Sequence, residues 1–162
     1  SLSSLSNSVK ANAIAGLAET SPEKVASLLH KIDLENANEG VMDKLLPIIV
    51  KNKIVSQMPN IAQTVAFYPF IAFQNPNLAQ PAEEGFNWIM DSDNMKAVEK
   101  LTGILKQVKA QIGDNVQAKM MIRDILKKGL DRKMKVFREN PSNQSLNSQV
   151  ELINKTLEAY NQ

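Results

Sequence analysis

Cysteine is missing from the 162-residue chain, and histidine and tryptophan occur once each. Without cysteine there are no disulfides, thiolate metal sites, iron–sulfur clusters or cysteine nucleophiles, and either a reducing or an oxidising compartment remains compatible. The one histidine, His30, sits between Leu29 and Lys31 with no ligand-spaced histidine or carboxylate beside it, so no zinc or iron site is expected. A catalytic triad would have to recruit an unidentified serine and aspartate, and no G-x-S-x-G turn is present to expose a nucleophile. The six glycines are scattered, and neither G-x-x-x-x-G-K-[ST] nor G-x-G-x-x-G occurs. A phosphate-cradling loop is therefore not expected either, and no cofactor or metal is implied.

Two acidic groupings stand out in the middle of the chain. Asp91-Ser92-Asp93-Asn94 has the opening of a calcium loop, but Lys96 stands where a glycine turn is required and Thr102 where the closing glutamate should be. A helix-capping turn accounts for these residues better. Glu83-Glu84 follows Pro81 at a helix start, where the helix dipole alone favours negative charge, so a hydrolytic acid pair is the weaker reading.

Long apolar runs are also scarce. The stretch from Ile54 to Glu83 is nearly uncharged, yet Gln57, Asn60, Gln63, Gln74, Asn75 and four prolines interrupt it, and no transmembrane segment is read there. The first twenty residues lack both a basic start and a continuous apolar block, so no secretory signal is read. Because Ser1 replaces an initiator methionine, a removed leader stays open. The compartment is unassigned, a soluble cytoplasmic protein being slightly favoured. Asn143-Gln144-Ser145 and Asn154-Lys155-Thr156 match the glycosylation pattern, as chance allows among 16 asparagines.

What the sequence does contain is helical periodicity nearly everywhere, without alternating β-branched runs. Residues 1–162 are expected to form one all-α domain, a compact irregular helical bundle of about six to eight helices, several kinked or started by proline. The first helix is expected from about Ser3 to Glu19, with Leu5, Val9, Ala13 and Leu17 in register. Ser21-Pro22-Glu23 should cap and start the next. From Asp33 a helix should be kinked or restarted at Pro47, and a segment opening at Pro59 should be interrupted at Pro69. A polar loop at Gln74–Gln80, a short helix from Pro81 to Asp91, and long helices at 93–112 and up to Glu139 follow, with Gly113-Asp114 as stop and new cap. The last helix, 145–160, carries Leu146, Val150, Ile153, Leu157 and Tyr160 as a narrow seam suited to docking on a neighbour, including a second copy of the chain.

Two features point toward binding. Six of the eight aromatics, Phe67, Tyr68, Phe70, Phe73, Phe86 and Trp88, fall within 22 residues and are either a groove for an apolar ligand or partner helix, or core. The overall charge of +2 conceals segregation: net −4 over residues 1–95, net +8 over 96–138 and net −2 over 139–162. At ~100° per residue, Lys127, Lys128, Arg132, Lys135 and Arg138 fall opposite Ile122, Leu126, Leu130 and Phe137 and form a solvent-facing basic stripe, to whose field Lys96, Lys100, Lys106 and Lys109 add. Asp124 and Asp131 lie on the same side, placed to pair with Lys128 and Lys135.

These features lead to a non-enzymatic protein-interaction or assembly module as the first expectation. Nucleic-acid or acidic-surface binding through helix 119–138 is the alternative, without the stacking rings of single-strand binders. Binding of an apolar ligand by the segment 67–88 is a second alternative.

Overall fold

In the computed structural model, residues 6–30, 32 and 39–162 are described. They form nine α-helices and no strands: α1 (Asn7–Thr20), α2 (Val25–Leu29), α3 (Glu39–Lys51), α4 (Met58–Ala66), α5 (Tyr68–Gln74), α6 (Ala79–Asp91), α7 (Met95–Ile112), α8 (Val116–Glu139) and α9 (Gln144–Tyr160). The all-α expectation holds. The count exceeds six to eight because the proline-rich middle of the chain divides into more short pieces than periodicity separates. Among the described residues, no helix is long and apolar enough to cross a membrane.

Most of the prolines start elements. Pro22, Pro59, Pro69 and Pro76 each occupy the first or second position of a helix or 3₁₀ turn, where the missing N–H has no helical partner to lose. Pro47 does not start a new helix, one of the two outcomes expected of it: α3 continues through it to Lys51. Leu45, Leu46, Ile49 and Val50 are all but completely buried on either side of it, and that burial outweighs the roughly 3 kcal/mol cost of an interior proline. The chain turns instead at Lys53, the only described non-glycine residue with positive φ (+50°).

Capping also departs from the expected pattern. Ser21 makes no side-chain cap, and a 3₁₀ turn over Pro22–Lys24 precedes α2. Gly113 ends α7 at φ +56°, a backbone that glycine adopts without strain. The cap that follows is Asn115, not Asp114: its Oδ1 accepts from the Ala118 N–H at 3.0 Å. Asn94 and Asn143 cap α7 and α9 in the same way, each at 3.1 Å. Ser6 caps α1; the expected earlier start at Ser3, with Leu5, lies outside the described residues, as does the stretch 33–38.

The core is one contiguous cluster from Ala11 and Ile14 in α1 to Ile153 and Tyr160 in α9. Helix α6 is central: it packs on α3, α4, α5, α7 and α8, while α1 lies on α3, α4 on α7, and α9 on both α7 and α8. Two glycines permit the closest approaches. A Cβ on Gly85 would lie 2.9 Å from a Val65 methyl and 3.2 Å from a Val50 methyl, and one on Gly129 would meet Met90. Replacing Gly85 with leucine is expected to cost about 3 kcal/mol by overpacking. Gly103 has nothing within 4 Å of its Cβ position, and Gly103→Ala is expected to gain about 1 kcal/mol from helix propensity. Urea unfolding of the two variants should show opposite signs.

Candidate partner-binding surface

Helix α8 carries eight basic and three acidic residues, net +5. Its buried side is formed by Ala118, Ile122, Ile125, Leu126, Gly129, Leu130 and Lys133; Lys119, Met121, Arg123, Met134 and Phe137 are half-buried, and the rest of the helix is exposed. Lys127, Lys128, Arg132, Lys135 and Arg138 are all exposed on it, but they do not form a single stripe. At ~100° per residue, Lys127 and Arg138 stand on one edge, and Lys128, Lys135 and Arg132 about a quarter-turn or more round the helix.

Their charges are unequally available. Lys128 pairs with Asp124 at 3.1 Å. Arg132 bridges to α6, with Nε donating to Asp91 Oδ1 at 2.8 Å and Nη2 to Asn87 Oδ1 at 3.1 Å. The expected Asp131–Lys135 pair is absent. Among the described residues, Lys127, Lys135 and Arg138 make no ion pair. Lys96 and Lys106 are exposed on α7, a helix that packs mainly on α4 and α9.

Beside Lys127 lies a feature that sequence reasoning missed. An open groove of about 960 Å³ runs along the first half of α8 to the end of α9, lined by Val116, Met120, Met121, Arg123, Lys127 and Leu157 among others. Val116 is 65% exposed and Met120 52%. Val116, Met120, Arg123 and Lys127 follow at steps of four, three and four and share an arc of about 60° on the helix. That step pattern was present in the sequence, but it mixes apolar and basic residues, and a search for uniform stripes passes over it.

The aromatic segment does not wall one groove. Phe86 is fully buried in the core, whereas Trp88, two residues along α6 and so on its other side, is half-buried with the Lys53 ammonium 5.3 Å from its ring centroid. Phe67 and Phe70 pack tilted at the α4–α5 junction, centroids 6.2 Å apart, and Phe73 is exposed. Tyr68 lines a separate pocket of about 100 Å³ with Glu83, Met121, Asp124 and Lys128. Burial, then the charges of Glu83 and Asp124, raise its hydroxyl pKa.

The C-terminal seam is consumed within the chain. Leu146, Ile153, Leu157 and Tyr160 are buried as α9 docks on α7 and α8, so this face is not free for the second copy that the sequence pattern allowed. His30 is exposed at the end of α2. Among the described residues, no group of three His, Asp or Glu side chains is placed to hold a metal ion.

One charged residue lies on the inner side of α8. Lys133 is only 3% exposed; its Nζ donates to the Ser92 carbonyl at 2.7 Å and to Gln149 Oε1. Gln149, itself fully buried, donates Nε2–H to Asp93 Oδ1 at 2.9 Å and to Ser145 Oγ at 3.1 Å. Burial lowers the Lys133 pKa to about 8, with Asp93 and Asp91 opposing the shift. This network ties α8 to the α6–α7 turn and to α9, and fixes the helix that carries the exposed cations. Compared with known proteins, the chain matches no family model, no curated protein and no solved structure.

Proposed function

We propose that this chain is a protein-interaction module that works by binding through the outer face of α8. The observation that carries this reading is the exposure of Val116 and Met120 on the same arc as Arg123 and Lys127, cations without an ion pair among the described residues. Apolar side chains left in water on a rigid helix and rimmed by polar groups favour a partner that removes them from water. Helix α8 is held by packing and by the Lys133 network, so the surface is organised before binding and loses little entropy when it binds.

The alternative is a nucleic-acid surface, favoured by the exposed, unpaired Lys127, Lys135 and Arg138. A phosphate backbone would use those cations, but it gives Val116 and Met120 nothing to pack against.

Photo-crosslinking separates the readings. With a benzophenone side chain placed singly at positions 120 and 127, and at the exposed Glu99 and Glu151 as controls, extracts of the producing cell should give discrete protein adducts several-fold above control at 120 and 127. Equal labelling at all four positions refutes the module. Nuclease-sensitive adducts at 127 and none at 120 transfer the function to nucleic acid.

A further inference from the structure

Resting on that reading, we infer that the α8 groove takes an acidic amphipathic helix of about three turns from a different protein. The occupant follows from length, shape and charge together. From Val116 to Lys127 the groove covers eleven residue steps of α8, about 16 Å at 1.5 Å per residue, the length of roughly three helical turns. Its apolar lining is adaptable: Val116, Met120 and Met121 on α8 and Leu157 on α9, and methionine's unbranched chain moulds to differently shaped apolar partners. A helix laid in such a groove anchors through side chains at i, i+3 or i+4 and i+7.

The rim selects the sign of the partner. Arg123 and Lys127 line the groove, and its one carboxylate, Asp124, is already engaged by Lys128 at 3.1 Å. The unneutralised charge is therefore positive, within a helix of net +5, and glutamates or aspartates beside the apolar anchors complement it and are steered toward it.

A second copy of the chain is a poor occupant. The other described large apolar residues exposed to solvent are Val9, Val55, Phe73 and Val136. The first three stand on different elements, and Val136 is on α8 itself, so a symmetric pairing through α8 would bring net positive helices together.

The test is selection of displayed random peptides of about sixteen residues, long enough for four helical turns, on the full immobilised chain. Enriched peptides should be net acidic, with apolar residues at helical spacing, and should become helical on binding by circular dichroism. Affinity of the best peptide should fall roughly tenfold in the Arg123→Glu/Lys127→Glu variant and similarly in Met120→Lys, with unchanged unfolding transitions. The Lys135→Glu/Arg138→Glu variant lies beyond the groove and should lose less than about threefold.

Enriched peptides that are neutral or basic, or that bind in extended form, overturn the acidic-helix inference. If they still compete with crosslinking at position 120, the interaction reading survives. Failure to enrich any peptide, or tight binding of a short DNA duplex abolished by Lys127→Glu, overturns the inference, and crosslinking then decides separately whether α8 meets protein at all. Concentration-dependent dimerisation lost in Met120→Lys would assign the groove to a second copy and overturn it as well.

Discussion

Truncating Tyr160 to alanine is expected to lower the unfolding free energy by about 4 kcal/mol, a large share of the 5–15 kcal/mol that holds a domain of this size together. The ring is fully buried, and its hydroxyl donates to the Leu105 carbonyl of α7 at 2.5 Å. Two contributions are lost together: the packing of a large side chain in the α7–α9 interface, and one buried hydrogen bond. Tyr160→Phe separates them, because it keeps the ring and should cost only about 1 kcal/mol. Urea unfolding of the three proteins with equal m-values checks this partition. If the phenylalanine variant is as unstable as the alanine variant, the hydrogen bond carries the interface and packing does not.

Tyr160 also shows what the sequence disclosed and where it fell short. The seam of Leu146, Val150, Ile153, Leu157 and Tyr160 correctly marked a helix that must dock, because spacing by four and three leaves one apolar edge whatever the partner is. Spacing does not encode the partner. In the structure the edge is satisfied by α7 and α8 of the same chain, so an edge that left an oligomer contact open becomes core. Periodicity is a local signal, and the choice between a neighbour in the chain and a neighbour in solution depends on long-range packing.

The same limit explains the helix boundaries. At Pro47 the local rule allowed a kink or a new start, and buried leucine, isoleucine and valine on both sides keep α3 continuous. At Gly113 the local rule succeeded, because positive φ is a property of a single residue. Asp114 and Asn115 both suit a cap, and only the path of the chain out of Gly113 chooses Asn115. At the candidate surface, segregated charge pointed to α8, the helix on which the proposed interface is built. The five named cations then divided between two edges, and the residues that distinguish the groove, Val116, Met120 and Arg123, went unnoticed. An exposed methionine looks like a core methionine until the neighbouring helices are in place.

Lys133 was the least legible residue, since a lysine counted within a basic run gives no sign that it points inward. On a wheel it falls between Leu126 and Gly129, on the apolar side, and the structure buries it there. Lys133→Ala is expected to cost about 3 kcal/mol at pH 7, because the Ser92 carbonyl and Gln149 Oε1 lose their donor in a buried setting and the aliphatic stem leaves a void. Its pH dependence gives the sharper test. The folded protein releases this proton near pH 8, whereas the unfolded lysine holds it to 10.5. Between those values the unfolded chain binds more protons, so the Lys133 contribution to stability rises with pH through that window, by an amount on the order of 2–3 kcal/mol once the amine is neutral. Loss of the proton spares the network, since the neutral amine keeps two N–H groups for its two acceptors.

Tyr160 works in the opposite sense at higher pH: burial raises its pKa above that of a free tyrosine, so its contribution is lost as pH climbs beyond about 10. Lys133→Met removes the lysine titration and leaves both tyrosines, so their effect cancels in the difference between wild type and variant. That difference should be flat below pH 7 and climb in favour of wild type between about pH 8 and pH 10. A difference that stays flat through this range would mean that the lysine is solvated, and that α8 is held in place by its apolar side alone.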